Sequence, residues 1–236
     1  MHMKLELTHK PKNPIVIEGF PGFGLVGTIA TEFLIKHLGA RKIGSIWSGE
    51  LMPIVAVHDA KVVEPLGIFY DKKTNLVIIH ALSAVRGLEW KISEAILELC
   101  KILKAKELIS LEAIGSTEDT SIKTFYYTKM DKKKKLFENI GMEPLKEGMV
   151  MGVTGALLLK SKDLMSCIFI ESHVGMGDSK AAAKAIEILD KYLGLKVDYK
   201  PLLKAAVEFE QTLKRIMEKG KKAEGAKQKR ELTYLG

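Results

Sequence analysis

The chain has 236 residues, of which 47% are hydrophobic and 28% are charged, and its formal net charge is +8. This composition excludes a largely disordered protein and fits one large domain, or one domain with an appendage. No apolar run reaches the roughly 18 residues needed to span a bilayer, and the amino terminus lacks the layout of a signal peptide. We therefore expect a cytoplasmic protein without a membrane partner.

The first half of the chain alternates between strand and helix patterns. "PIVIEG" predicts a strand, "GLVGTIATEFLIKHLG" a helix that stops at Gly39, and "RKIGSIW" a second strand. The side chains expected to face inward on this helix are Val26, Ile29, Phe33 and Leu38. Two apolar runs around "KKT", within residues 64–82, then predict a hairpin.

The second half repeats this alternation. The apolar residues between Glu89 and Lys104 follow the period of an amphipathic helix: Ile92, Ala95, Ile96, Leu99, Ile102 and Leu103. "ELISLEAIG" and "LMSCIFIES" predict buried strands, and the next helix begins at Asp178 or Ser179 and ends at Gly194. The alternation predicts an α/β layered domain, with a mixed, mostly parallel central sheet flanked by helices, over residues 1–198.

A different pattern follows this domain. Asp198 and Pro201 fit the start of a helix over residues 199–219, with a short apolar heptad at Leu202, Ala206, Phe209, Leu213 and Ile216. Such a helix packs either on its own domain or on another subunit.

Beyond that helix, residues 220–236 predict a flexible basic tail, because apolar residues are nearly absent until the last few. Six basic residues and one acid between Lys219 and Arg230 hold most of the excess charge. The basic run "DKKKK" at residues 131–135 fits a solvated helix face or loop, so a nucleic-acid partner is not expected.

Cysteine use and overall composition bear on redox chemistry and source. Cys100 and Cys167 lie in apolar stretches, so neither a disulfide nor a zinc site is expected. Lys and Glu are abundant while Gln is rare, a bias typical of thermophile proteins.

A glycine-rich turn, "EGFPGFGLVGTIA", lies between the first predicted strand and helix, with Gly22, Gly24 and Gly27 at the spacing of a dinucleotide-binding loop. Phe20-Pro21 and Phe23 place bulk, and one missing N–H, where a phosphate would approach. We expect a tight structural turn and no cofactor. A nucleotide-binding α/β enzyme that uses this loop remains the less favoured alternative.

Several polar residues follow the predicted strands, where α/β enzymes place their active sites. They are Glu18, Glu112 and Glu171, together with Ser172, His173 and Asp178 of "ESHVGMGDS". Ser172 and His173 are adjacent, so in an extended segment their side chains point to opposite faces. The sequence around them contains no G-x-S-x-G nucleophile elbow and no spacing of His and acidic residues typical of a metal site. We therefore expect no catalytic residue and no metal site.

Three segments together resemble the PAC2 family, the archaeal and bacterial relatives of proteasome assembly chaperones. They are "GFPGFGLVGTIA", "GVTGALLLKS" at residues 152–161, and "DSKAAAKAIEILDKYLGLKVDYKPLLKAA" at residues 178–206. The resemblance covers residues 13–217. It implies an α/β domain without established catalytic machinery that forms homo-oligomers and binds the α subunits of the proteasome core particle through carboxyl-terminal tails.

The tail signature implied by this resemblance is hydrophobic-Tyr-any at the end of the chain. Here the end is "ELTYLG", so Tyr234 is third from the end and Thr233 precedes it. The nearest matching elements, and hence the expected partner-binding residues, are Leu232, Tyr234, Leu235 and Gly236. This departure leaves open whether the partner is the proteasome or another assembly for which the protein is a scaffold.

Overall fold

The computed structural model describes residues 3–53, 55–58, 61–83, 85–115, 122–172, 177–201 and 215. The strands are β1 (Lys4–Leu7), β2 (Ile15–Gly19), β3 (Arg41–Trp47), β4 (Ala56–His58), β5 (Lys61–Val63), β6 (Leu66–Asp71), β7 (Leu76–Ala81), β8 (Glu107–Gly115), β9 (Thr124–Thr128), β10 (Glu143–Pro144) and β11 (Met165–Ser172). The helices are α1 (Val26–Leu38), α2 (Glu89–Leu103), α3 (Asp131–Asn139), α4 (Gly152–Lys160) and α5 (Ser179–Leu193).

Nine of these strands form one sheet, in the order β1-β3-β6-β7-β2-β8-β11-β9-β10. The central strands β7, β2, β8 and β11 are parallel, whereas β1, β3, β6 and β7 pair antiparallel and so does β9 with β11. β10 adds a short parallel pairing at the far edge. The α/β layered class with a mixed sheet is confirmed. Four of the eight strand pairings of this sheet are parallel and four are antiparallel, so it is mostly parallel only in its centre, where both faces are covered.

The two faces of the sheet carry two separate hydrophobic layers. On one face, Ile17, Ile109 and Ile168 pack under α1 and α5, with Phe137 of α3 in the same layer. On the other face, side chains from α2 and α4 cover the alternate residues of the same strands. Because successive residues of a strand point to opposite faces, each central strand supplies both layers and reads as a continuous apolar run.

Helix α1 approaches the sheet unusually closely. A Cβ at Gly19 would lie 2.2 Å from the carbonyl oxygen of Gly27, and a Cβ at Gly27 would lie 2.6 Å from that of Leu111. The backbone of α1 therefore rests on β2 and β8 without intervening side chains. This is the packing role expected for the third glycine of the turn.

The element boundaries follow the sequence closely. Helix α1 ends in the left-handed residue Gly39, and α5 begins at Asp178, whose Oδ1 accepts from the N–H of Ala181 at 2.9 Å, and ends at Gly194. One side chain differs from expectation: Ile102, predicted to face inward on α2, is 41% exposed. It lies in the last turn of α2, where the buried stripe continues through Leu103.

The lysine run at residues 131–135 lies in α3, but it is not wholly solvated. Lys133 Nζ pairs with the buried Glu107 at 2.6 Å, and that carboxylate also accepts hydrogen bonds from Ser166 and Tyr192. A buried carboxylate requires such partners, because removal from water is costly for an uncompensated charge. Lys133 thus has a structural role, compensation of the buried Glu107, that the sequence pattern did not indicate.

The carboxyl-terminal segment is described only at its start. Asp198 Oδ1 accepts a hydrogen bond from the N–H of Lys200 at 3.0 Å, as expected of a residue that begins a helix. Most of the predicted helix at 199–219 and the whole tail at 220–236 lie outside the described residues.

Within the described part, Cys100 and Cys167 are buried free thiols, and no helix has both the length and the apolar composition to cross a bilayer.

We predict that Gly27→Ala lowers the free energy of unfolding by about 1–3 kcal/mol or more, since the new methyl group would displace the α1 backbone from β8. Urea denaturation followed by circular dichroism measures the effect. The matched control is Gly115→Ala, because a Cβ there meets only the Phe23 ring at 3.7 Å, an ordinary contact. Equal stability of the Gly27→Ala variant and the wild type would contradict the backbone packing described above.

Candidate functional site

The glycine turn closes onto the ends of two strands. Phe23–Leu25 forms one 3-10 turn, with Gly24 and Leu25 both in the left-handed region, at φ of 62° and 53°. The N–H of Asp178 donates to the Gly24 carbonyl at 2.7 Å, and a Cβ at Gly24 would lie 2.4 Å from Ser172 Oγ. The turn is therefore held against β11 and the start of α5 by its own backbone.

An acidic side chain lies against the same turn. A Cβ at Gly22 would fall 2.3 Å from Glu112 Oε1, so a side chain there would have to displace this carboxyl group. Dinucleotide-binding loops present N–H groups and a helix N-terminus to a phosphate, and an acid at that position disfavours an anion. Of the aromatic residues in the turn, Phe20 is buried and Phe23 is 42% exposed.

Two of the glutamates predicted at the strand ends belong to one polar cluster. Thr154 Oγ1 of α4 donates to Glu112 Oε2 at 3.0 Å and lies 2.9 Å from Ser110 Oγ of β8. Glu18 of β2 faces the same hydroxyl groups, which lower its pKa, but both of its carboxyl oxygens lack a hydrogen-bond partner. The cluster therefore links β2, β8 and α4 beneath the glycine turn.

Burial dominates the electrostatics of this cluster. The pKa of Glu18 is raised from 4.5 to about 8, chiefly by burial and also by the neighbouring Glu112, while the hydroxyl groups of Ser110 and Thr154 lower it. Burial likewise raises the pKa of Glu112 to about 7, while the Thr154 hydroxyl lowers it. Burial, and to a lesser extent the nearby Glu18, raises the pKa of the Cys100 and Cys167 thiols. Among the described groups that shift the pKa of Glu18 or Glu112, none is basic.

The remaining strand-end residues have structural partners. Ser172 Oγ donates to Asp178 Oδ2 at 2.7 Å, and Asp178 caps α5 as expected. Glu171 Oε2 accepts from the N–H of Lys123 at 3.1 Å, which fixes the chain before β9. His173 lies outside the described residues, and in the described part no three His, Cys, Asp or Glu side chains form a metal-binding group.

An apolar groove of about 620 Å³ lies on the face covered by α4. We call it the α4 groove; its walls include Trp90 of α2, Tyr127 of β9, and Met151 and Leu159 beside and on α4, with Phe169 of β11 at its floor. Trp90, Met151 and Leu159 are 53%, 74% and 78% exposed. Gly152, Gly155 and Ala156 leave space along the helix, which makes the surface concave.

Comparison with known proteins identifies the domain. A family model described as PAC2 family matches residues 16–217. The chain belongs to the PAC2 family. The crystal structure of Pyrococcus furiosus PbaA, an archaeal homolog of proteasome-assembly chaperone, has a TM-score of 0.82 at 31% identity, over 94% of this chain and 99% of that one.

Two further relatives of this PAC2 domain show how widely the fold extends. Pyrococcus furiosus PbaB, described as an archaeal proteasome activator, is similar in fold with a TM-score of 0.75 at 24% identity, over 92% of this chain and 99% of that one. The uncharacterized protein MJ0106 of Methanocaldococcus jannaschii is 28% identical over 95% of this chain and 94% of its own length. The similarity to both proteins therefore extends over more than 90% of each chain.

The residues predicted to bind a partner, Leu232, Tyr234, Leu235 and Gly236, lie outside the described residues. Sequence reasoning missed the α4 groove, because α4 itself was not recognised as a helix within "GVTGALLLK". One feature of the sequence could have indicated an exposed apolar surface here: Leu159 lies on the opposite side of α4 from Val153 and Leu157, which are buried.

We predict that neither NAD nor ATP binds at the turn of this PAC2 domain, because Glu112 lies against the backbone that would receive a phosphate. Isothermal titration calorimetry of the full chain with each nucleotide should show no binding heat. The probe variant is Phe23→Ala, whose exposed side chain borders the turn. A micromolar Kd that this substitution weakens would contradict the prediction and favour the nucleotide-binding enzyme.

We predict that stability falls as pH rises between about 4.5 and 8, because the folded state binds more protons than the unfolded state when carboxyl pKa values are raised by folding. Glu18→Gln removes the largest contribution, so the variant should match the wild type near pH 5 and exceed its stability near pH 9. Urea denaturation across this range measures the difference. The control Glu147→Gln, at an exposed glutamate, should follow the wild-type curve.

Proposed function

We propose that the protein is a homo-oligomeric, non-enzymatic binding module that docks on the proteasome α-ring through its carboxyl-terminal tails. The observation that supports this most strongly is the PAC2 match over residues 16–217, together with the similarity to PbaA along nearly the whole of both chains. PbaA is described as a homolog of a proteasome-assembly chaperone. A proteasome-related partner is therefore the first to test.

The polar groups at the strand ends support a binding role over catalysis. Ser172 is engaged by Asp178, which caps α5, and Glu112 is engaged by Thr154 beneath the glycine turn. A general acid or base must reach a substrate, yet neither Glu18 nor Glu112 lines the α4 groove. In this proposal their raised pKa values reflect burial in the scaffold.

The chemistry of the tail suits docking in a pocket. Residues 220–236 join the basic segment to "ELTYLG", in which one aromatic residue, Tyr234, lies between Thr233 and Leu235. Tyr234 offers apolar area and one hydroxyl group, and the chain's terminal carboxylate can pair with a lysine of a partner. Each contact is weak by itself, but several identical tails on one oligomer raise the avidity by roughly 10²- to 10⁴-fold.

The proposed organisation has three parts: a PAC2 domain over residues 1–198, a helix over 199–219, and the basic tail over 220–236. The described domain ends beyond α5, and Asp198 begins the next segment with a capping hydrogen bond. In this proposal the helix over 199–219 separates each tail from its domain. The tails of one oligomer can then reach neighbouring binding sites on the proteasome α-ring. The alternative is a scaffold for another assembly, which the departure of "ELTYLG" from the tail signature leaves open.

We predict that deletion of residues 231–236, or Tyr234→Ala, strongly reduces capture of purified proteasome α-rings by amino-terminally tagged protein. The reason is that both changes remove the aromatic anchor from every copy at once. Tyr234→Phe keeps the ring and should retain much of the binding, while Thr233→Ala is the matched control. Light scattering should give the same molar mass for all variants, because the changes lie beyond the domain.

The outcomes separate the candidate functions. Equal capture by the truncated and full-length proteins would contradict docking through the tail and move the interface to the folded domain. A failure of every form, wild type included, to capture α-rings would overturn the proteasome proposal and leave the scaffold for another assembly. Turnover of a small substrate that depends on Glu171 or His173 would overturn the non-enzymatic role.

A further inference from the structure

Glu18 of β2 is a buried carboxyl group to which no described residue donates a hydrogen bond. Its side chain has no exposed surface, and both of its carboxyl oxygens lack a partner, although the hydroxyl groups of Ser110 and Thr154 lie close enough to lower its pKa. A buried carboxylate without a donor is costly, whereas a protonated carboxyl group is itself a donor and needs an acceptor. The protonation of Glu18 therefore depends on which hydroxyl lone pairs are free.

The hydroxyl hydrogens of Ser110 and Thr154 are both engaged elsewhere. A hydroxyl group donates one hydrogen bond and has two lone pairs that accept. Thr154 Oγ1 donates to Glu112 Oε2 at 3.0 Å, so in its 2.9 Å contact with Ser110 Oγ the serine is the donor. No hydroxyl hydrogen is left for Glu18, but Ser110 Oγ still has a lone pair to offer. Glu18 can therefore join this chain of hydrogen bonds only as a protonated donor.

The backbone favours ionisation of Glu112 over that of Glu18. The N–H of Ala113 donates to Glu112 Oε1 at 3.3 Å and lowers the pKa of Glu112, whereas no backbone N–H donates to Glu18. A donor stabilises the ionised form of a carboxyl group. The hydrogen bonds of the cluster thus have one preferred direction, from the proton of Glu18 through the two hydroxyl groups to the carboxylate of Glu112.

None of the described groups that face Glu18 supplies a compensating positive charge. Cys100 of α2 and Cys167 of β11 are thiols whose pKa is raised by burial and, less strongly, by Glu18. The strand β7 places an isoleucine opposite Glu18, and α4 faces it with a threonine. Glu112 of β8 is the remaining titratable neighbour, and its negative charge disfavours ionisation of Glu18.

We propose that Glu112 ionises before Glu18, and that the proton kept by Glu18 maintains the hydrogen bond between Ser110 of β8 and Thr154 of α4. When that proton is lost to the solvent, each carboxylate requires a donor of its own. Ser110 then turns its hydrogen to Glu18 while Thr154 keeps Glu112, and the two hydroxyl oxygens face each other with no hydrogen between them. The bond between the sheet and α4 is thereby broken. This inference does not rest on the proposed function.

The consequence of this bond extends to the α4 groove. Thr154 belongs to the helix whose residues Gly155 and Leu159 line the groove, and Ser110 belongs to a central strand of the sheet. Loss of the bond between the two hydroxyl groups removes a polar tie of α4 to the sheet. The position of α4, and with it the shape of the groove, therefore depends on the proton of Glu18.

Infrared spectroscopy of the full chain tests which glutamate keeps the proton. A protonated carboxyl group gives a C=O stretching band that carboxylates lack, and the wild-type band should disappear in two steps as the pH passes about 7 and about 8. Glu18→Gln should remove the later step and Glu112→Gln the earlier one. Glu147→Gln, at an exposed glutamate, is the control and should keep both steps. A wild type without such a band at neutral pH, or loss of the later step in Glu112→Gln alone, would overturn the proposed order of ionisation.

The fluorescence of Trp90 measures the effect on α4. Trp90 lines the groove, and Lys160 in the last turn of α4 has its Nζ 5.4 Å from the centroid of the indole ring. The other tryptophan of the chain, Trp47, is exposed and is replaced in a Trp47→Phe background. In this background the emission should change as the pH passes about 8, where the pKa of Glu18 lies.

Three substitutions in the same background should abolish this change. Glu18→Gln supplies a permanent donor to Ser110 and keeps the bond closed, whereas Ser110→Ala and Thr154→Val remove it at every pH. Glu147→Gln should leave the change as it is, and near-ultraviolet circular dichroism checks that each variant is folded. Emission that is constant across pH 8 before these substitutions, or that still changes in Glu18→Gln, would overturn the proton-dependent contact. Both measurements use the protein without α-rings, so their outcome is independent of proteasome docking.

Discussion

The close contact between the backbone of α1 and the sheet fixes the position of the glycine turn relative to β2, β8 and β11. Gly19 and Gly27 allow α1 to rest on β2 and β8, which brings the preceding turn down onto the ends of β8 and β11. A Cβ at Gly22 would lie 2.3 Å from Glu112 Oε1 and one at Gly24 would lie 2.4 Å from Ser172 Oγ, so side chains of these strands pack directly on the turn. The glycine spacing and the strand–turn–helix order are shared with such folds, but here the glycines serve packing between backbone segments.

Two buried glutamates of this interior have different surroundings. Glu107, the first residue of β8, has a lysine and two hydroxyl groups as partners, so its charge is compensated. Glu18 lies on β2 opposite Ser110 of β8; its carboxyl oxygens have no hydrogen-bond partner, and burial raises its pKa. The raised pKa of Glu18 therefore has a structural cause, its burial in the scaffold.

The described surface of the domain includes an apolar groove away from the glycine turn, bordered by α2, α4 and β9. Trp90, Met151 and Leu159 are exposed at this α4 groove, and a concentration of exposed apolar side chains marks an interaction surface. In the proposed homo-oligomer several tails are presented together, and multiple weak tail contacts then act as one strong one. Under this proposal assembly and partner binding are physically connected while using separate parts of the chain.

The sequence by itself determined the order and type of the main elements, since apolar periodicity, Asp178 as a cap, and Gly39 and Gly194 as helix ends are local signals. It also placed Glu18, Glu112 and Glu171 at strand ends. Only the tertiary structure decided that Glu18 and Glu112 share a cluster with Thr154, that Lys133 reaches Glu107, and that Trp90 and Leu159 border one groove. These are contacts between residues far apart in the chain, and strand order and helix packing, which no local pattern encodes, bring them together.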